Sequence, residues 1–190
     1  MTQYIKNNGL TVGKGNAKID KSIGVFNITC CYDCSFCYAK KSYKQYRESR
    51  NCWDKNRDLT LADSFVNDFD LIVKKGKFKT FRFHAYGELY SLEYFNKLLT
   101  IARRNPQTYF VTFSRTKHIE TSQRNVRIID SLARASSKHK AKIIFKGKPE
   151  PKGYFVCPAT GKGSKGICGK RCNYCYSSET EAVKVAFHEH

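Results

Sequence analysis

The chain has no long apolar run. None of its 190 residues belongs to a stretch approaching the roughly 18 apolar positions of a bilayer-spanning helix, which excludes a helical membrane protein. The opening residues, Met1 to Leu10, are polar and lack the apolar core of a secretory signal, so export is not expected. Acids are scarce: 16 Asp and Glu stand against 35 Lys and Arg, leaving a formal net charge of +19. An even complement of cysteines is missing too. Nine cysteines suit a closed disulfide framework badly, and in a chain expected in the reducing cytoplasm clustered thiols read as metal ligands. With 41% hydrophobic and 14% aromatic residues the composition is that of a folded domain rather than a disordered segment.

Two cysteine groups share one spacing near opposite ends of the chain. The first is Cys30-Cys31-Tyr32-Asp33-Cys34-Ser35-Phe36-Cys37-Tyr38, and the second is Cys168-Gly169-Lys170-Arg171-Cys172-Asn173-Tyr174-Cys175-Tyr176. Both read Cys-x3-Cys-x2-Cys, with an aromatic before the last cysteine and a tyrosine after it. Apart from this echo the sequence has no internal repeat. Three thiolates at this spacing can face one centre while the backbone wraps it, and soft sulfur ligands select iron–sulfur or zinc over hard cations. A 4Fe–4S cluster held by Cys30, Cys34 and Cys37 would keep one iron open to a substrate or cofactor. Cys31 offers a second register, Cys31-x2-Cys34-x2-Cys37, similar to a ferredoxin run. Cys157, Cys168, Cys172 and Cys175 make a set of four, complete either for a second 4Fe–4S cluster or for a structural zinc. One zinc shared by the Cys34/Cys37 and Cys172/Cys175 pairs is a further arrangement.

The positive charge is concentrated. Lys138 to Arg171 carries ten Lys or Arg and a single acid, Glu150. Lys40 to Arg57 interleaves Lys40, Lys41, Lys44, Arg47, Arg50, Lys55 and Arg57 with Tyr43, Tyr46 and Trp53. Basic stretches with aromatics suit a nucleic-acid surface, where phosphates are neutralised and bases stack; a solvated basic face is the plainer alternative.

Hydrophobic periodicity predicts strands over Ser22–Thr29, Thr80–Ala85, Tyr109–Ser114 and Ala141–Phe145. It predicts helices over Tyr38–Arg50, Leu61–Lys75, Leu92–Arg104 and Arg124–Ala135. Alternating strands and helices argue for βα units and a mainly parallel sheet. The expected organisation is an N-terminal polar arm at 1–21, an α/β unit at 22–150, and a Cys-rich metal-binding appendage at 151–190.

A strand ending in Cys-x3-Cys-x-aromatic-Cys and followed by a helix resembles the cluster loop of radical S-adenosylmethionine enzymes. After the next strand, His84-Ala85-Tyr86-Gly87-Glu88-Leu89 stands where that superfamily carries a Gly-Gly-Glu motif for the amino group of S-adenosylmethionine. Here Tyr86 replaces the first glycine. More closely, the chain is similar to the phage gene product 88 domain family. The resemblance rests on Cys37-Tyr38-Ala39, on Arg82, His84, Gly87, Glu88, Tyr90 and Ser91, and on Cys157-Pro158 with the late cysteine group. It covers roughly residues 22 to 176. The two resemblances imply a partial parallel βα barrel of about four βα units. They also imply one or two 4Fe–4S clusters, S-adenosylmethionine beside Tyr86, Gly87 and Glu88, and a location in the cytoplasm of a phage host. Zinc is the alternative at the C-terminal cysteines. Two functions are then expected to compete: radical chemistry on nucleic acid or a nucleotide, and a noncatalytic, metal-stabilised nucleic-acid-binding protein.

Other residues read as follows. Glu88 is the acid expected at the mouth of the sheet, or else a cap for the Leu92 helix. His84 reads as a packed core histidine and Cys52 as a small buried hydrophobe. Ser114-Arg115-Thr116-Lys117 is a rim loop, anion-binding or merely polar. His188 and His190 carry no expected role.

Overall fold

The computed structural model of the chain describes residues 3–117, 119–160 and 168–189, with the backbone alone at Tyr38. Lys162, Lys165 and His190, which belong to expectations above, lie outside the described residues. Nine strands form one sheet: β1 (Gln3–Asn7), β2 (Leu10–Lys14), β3 (Ile23–Phe26), β4 (Thr80–Phe83), β5 (Tyr109–Ser114), β6 (Val126–Asp130), β7 (Lys140–Ile144), β8 (Phe155–Val156) and β9 (Lys184–His188). Their spatial order is β1-β2-β3-β4-β5-β6-β7-β9-β8. The first three strands pair antiparallel, and every pairing from β3 onward is parallel. Four helices are described: α1 (Tyr38–Gln45), α2 (Arg47–Leu59), α3 (Phe65–Gly76) and α4 (Leu92–Arg104).

Local chemistry accounts for these elements. Asn8 and Gly9, with φ of 45° and 89°, make the left-handed pair that a tight hairpin demands, so Asn7 lies opposite Leu10. Helix α3 turns Phe65, Phe69, Ile72 and Val73 to one side. Its Asp68 carboxylate accepts from the side chains of Asn7 (2.9 Å) and Asn8 (2.6 Å), fastening the hairpin to the helix. Helix α4 begins at Ser91, whose Oγ accepts from the Tyr94 N–H at 3.1 Å, and ends at buried Asn105 ahead of Pro106.

The pleat divides the sheet residues between two cores. On one face Phe26, Phe81, Phe83 and Phe110 meet Phe65, Phe69, Leu98 and Ile101 of α3 and α4. Burying each such phenylalanine contributes about 1.5–3 kcal/mol. On the other face Val25, Val111, Ile129 and Val185 pack against Cys157, Ala159 and Tyr176 of the late segment. No helix covers this second face among the described residues; cysteine-bearing loops do.

Several expectations are corrected. The sheet is open, with β1 and β8 at its edges, so the barrel is not formed. Of the parallel crossovers among the described residues only β3→β4 and β4→β5 carry helices, not about four. The helix expected at Arg124–Ala135 is instead strand β6: Val126-Arg127-Ile128-Ile129 alternates across the sheet, and β-branched side chains fit that pleat better than a helix. The Tyr38–Arg50 helix breaks at Tyr46, where the backbone is extended. Neither expected boundary is a break in the sheet. Residues 1–21 supply β1 and β2, and β9 inserts between β7 and β8. Among the described residues no helix is long and apolar enough to cross a membrane.

Candidate metal centre

The first cysteine group leaves the C-terminal end of β3, and its approach is fixed by polar contacts. Asn27 Oδ1 accepts from the backbone N–H groups of Ala85 (2.9 Å) and Tyr86 (3.0 Å), joining the exits of β3 and β4. The Thr29 N–H donates to the Trp53 carbonyl at 3.2 Å, and its hydroxyl bonds to the Asp54 carboxylate, which also accepts from the Tyr43 hydroxyl at 2.8 Å. Tyr86 packs on Trp53 and Tyr43 with ring centroids 4.7 and 5.3 Å away. The loop therefore starts from a rigid base. Cys37 then opens α1, with its carbonyl accepting from the Lys40 N–H at 3.3 Å.

All nine cysteines are free thiols; Cys31 is exposed, whereas Cys30, Cys34 and Cys37 are half-buried. Burial, reinforced by the neighbouring Cys31, Glu88 and Cys37, pushes the Cys30 thiol up to about 11. Burial also raises Cys31. Both residues sense the Glu88 carboxylate, which brings that acid to the same edge of the sheet.

Gly87 and Glu88 hold that position for different reasons. Gly87 has φ +128°, and a Cβ there would stand 2.7 Å from Ile28 Cγ1, so only glycine fits. Glu88 is buried at 3% exposure. Its Oε1 accepts from Ser114 Oγ at 2.5 Å and from the Leu89 N–H at 2.8 Å, and its Oε2 accepts from the Arg115 N–H at 2.8 Å. Glu88 thus joins β4 to β5 instead of capping α4, a task that falls to Ser91. Tyr86 has both backbone groups engaged, since its carbonyl accepts from the Ile28 N–H at 3.2 Å.

Sequence reasoning placed Arg115 on a rim loop, anion-binding or merely polar, but missed its contact with the cysteines. Its guanidinium donates to Cys34 Sγ at 2.6 Å and lies over the rings of Tyr32 (5.6 Å) and Phe36 (5.7 Å). Its carbonyl accepts from Arg134 at 2.6 Å. The contact ties the third parallel strand to the cysteine loop. The only hint in the sequence was its place just after a strand.

The second group is assembled differently. Cys157 is buried at 7% exposure, and its N–H donates to the Ala186 carbonyl of β9 at 2.8 Å. Cys168 bridges to Ile19, exchanging backbone bonds with Lys18 (2.9 Å) and Asp20 (2.8 Å). Cys157, Cys168, Cys172 and Cys175 line one small cavity of about 30 Å³ with Arg82, Phe113 and Tyr176. A hydrogen bond from the Cys168 thiol draws Cys157 down, whereas burial pushes Cys175 up to about 12. Arg82 donates to the Tyr176 hydroxyl at 3.1 Å, and Arg127 donates to the Ser177 and Thr180 carbonyls, each at 2.7 Å. No cysteine of the first group lines the cavity, so the shared-zinc arrangement is not built.

The donor chemistry of both groups fits a soft metal: clustered, unbridged thiols, partly withdrawn from water, each group beside an arginine. Among the described residues, no group of three or more His, Cys, Asp or Glu side chains is placed to hold a metal ion. The remaining candidates are quickly located. His84 is a buried core residue, its Nε2 2.8 Å from the Tyr94 hydroxyl. Cys52 is half-buried. His188 lies in β9, its N–H donating to Thr160 Oγ1 at 3.1 Å.

No curated protein and no solved structure matches the chain. The family model described as gene product 88 matches residues 6–143, spanning β1 to β7 and including both the cysteine loop and Gly87-Glu88. With well over half its length matched, the chain belongs to the gene product 88 family of phage proteins.

Proposed function

We propose that this is an iron–sulfur protein whose Cys30, Cys34 and Cys37 hold a 4Fe–4S cluster at the C-terminal edge of the sheet. S-adenosylmethionine is the proposed ligand beside Tyr86, Gly87 and Glu88. One observation carries the reading: Arg115, at the end of β5, bonds both Cys34 of the β3 loop and Glu88 of the β4 loop. Ligands of open parallel sheets bind at this edge, where successive strand exits converge. A cluster with one open iron supplies a low-potential electron to a bound sulfonium, the chemistry the radical S-adenosylmethionine resemblance implies.

The residues of the chain have separable tasks in this reading. Asn27 and Gly87 set the distance between the two loops. Glu88 holds the β4 loop against β5 through its bonds to Ser114 and Arg115. Arg115 compensates thiolate charge at Cys34, and Tyr32 and Phe36 limit water at the guanidinium.

The test is anaerobic reconstitution with iron and sulfide, followed by metal analysis, absorption spectroscopy and assay of S-adenosylmethionine cleavage under reduction. The expected result is iron and sulfide bound through Cys30, Cys34 and Cys37, with cleavage abolished in Cys34→Ser. A fully loaded cluster without cleavage removes the enzyme assignment.

The second reading, a noncatalytic metal-stabilised nucleic-acid-binding protein, is favoured by the C-terminal cavity. Four cysteines line it, the ligand number of a structural zinc site. Zinc held by Cys157, Cys168, Cys172 and Cys175, with no iron at the first loop, is its expected metal content.

A further inference from the structure

A wide recess lies at the opposite end of the strands from the first cysteine loop. It is a groove of about 860 Å³ running past Ile23, Thr80 and Tyr109, at which β3, β4 and β5 begin, and past Asn125, just before β6. Lys14, Lys21, Lys77, Lys79 and Arg124 line it, and no acid does among the described residues. None of the five cations makes an ion pair among the described residues, although Lys40, Lys74, Lys97 and Arg134 elsewhere all do. Like charges gathered in one recess repel one another, a cost that an anionic ligand relieves.

The fold builds this concentration from separate places in the sequence. Lys14 ends β2, Lys21 precedes β3, Lys77 caps α3 in a left-handed conformation, Lys79 precedes β4 and Arg124 precedes β6. They come together because parallel strands bring every strand entry to one edge. The two basic stretches conspicuous in the sequence contribute none of them. Half-buried Tyr109 adds an aromatic ring to the floor.

We infer that this groove is a binding site for single-stranded nucleic acid, gripped through its phosphates. Five cations and no acid among the described lining residues match a polyanion rather than one phosphate group. A recess suits a flexible strand, which can follow its course, better than a rigid duplex. Strands of four to six residues separate the groove from the cysteine edge by about 13–20 Å. The groove is therefore separate from the first cysteine loop, although Gly169, Asn173 and Tyr176 of the second cysteine group help line it, and the inference does not rest on the iron–sulfur function proposed for the first loop.

The experiment measures anisotropy of a fluorescent single-stranded oligonucleotide titrated with the full-length chain across a salt series. Each phosphate contact contributes a slope of about −0.7 in log K against log salt. Replacing Lys77, Lys79 and Arg124 by Gln should flatten the slope by about 2 and weaken binding on the order of 100-fold at 0.1 M salt. The same variant should melt no lower than the parent, because like-charge repulsion is reduced. A control replacing Lys41, Lys44 and Arg47 by Gln, on α1 and α2, should bind as the parent does. The inference is overturned by an unbound oligonucleotide, by an unaffected groove variant, by a control losing more affinity than the groove variant, or by tighter binding of duplex than of single strand.

Discussion

The two cysteine groups carry the same spacing and meet different fates in the fold. The first sits on a loop at the strand exits, with Cys31 exposed and its neighbours half-buried. It is held by side chains: Thr29 to Asp54, Arg115 to Cys34, Glu88 behind them. The second lies flat on a sheet face and is held by backbone, with Cys157 bonded to β9 and Cys168 to the segment before β3. One arrangement leaves sulfur near solvent on a loop pinned by side chains. The other makes sulfur part of the core. A spacing therefore names the chemistry of a group, while its surroundings decide whether that chemistry serves a reaction or the fold.

The largest expected effect tests this division directly. Cys157→Ser places a hydroxyl in an apolar core and should cost about 2–3 kcal/mol before any metal is considered. For a chain of this size that is a fall of roughly 4–12 °C in melting temperature, read by thermal unfolding. Cys34→Ser should shift it by less than about 2 °C, near the few tenths of a kcal/mol usual for sites away from the core. Equal falls would erase the distinction. Next comes Glu88→Gln, whose amide must present an N–H to one of the three donors the carboxylate now accepts from. The expected loss is about 1–3 kcal/mol in denaturant unfolding.

Acidity should act on the core and not on the loop. Burial holds His84 down to about 3 and His139 down to about 4, so both are neutral in the folded chain. Unfolding releases each to an ordinary value near 6.5, where it binds a proton as the pH drops. Stability is thus complete above about pH 6.5 and falls below it by up to about 1.4 kcal/mol per pH unit for each histidine. The His84 contribution runs to about pH 3 and that of His139 to about pH 4. Urea midpoints at pH 7 and pH 5 measure it, and His139→Gln should shallow the slope. The smallest effect belongs to Cys31→Ser. Its exposure predicts less than about 0.5 kcal/mol of stability change and unchanged iron content, making Cys30 the first ligand of the loop. Iron lost with Cys31 would put the alternative register in its place.

Much of the sheet was legible from local pattern. Tyr109–Ser114 and Leu92–Arg104 stand where periodicity puts them, because each pattern agrees with the face it buries. Strand β6 was not, since Arg127 reads as an exposed helical residue until Ser177 and Thr180 are seen to receive it. The N-terminal hairpin had its signal in Asn8-Gly9, flanked by Ile5, Leu10 and Val12, yet the polar residues around it suggested an arm. At the site, the cysteines and Gly87-Glu88 were visible as motifs. Arg115 was not, because its bond to Cys34 crosses 81 positions and depends on strand order alone.

Strand β9 lies inside the sheet although every other strand precedes it in sequence. On the ribosome, β7 and β8 cannot be joined until residues beyond 183 have emerged. Half of the second core waits for that moment, leaving Val111 and Ile129 uncovered on the nascent chain. Completion of the domain is thus a late, long-range step, and chaperone dependence during synthesis is its natural companion.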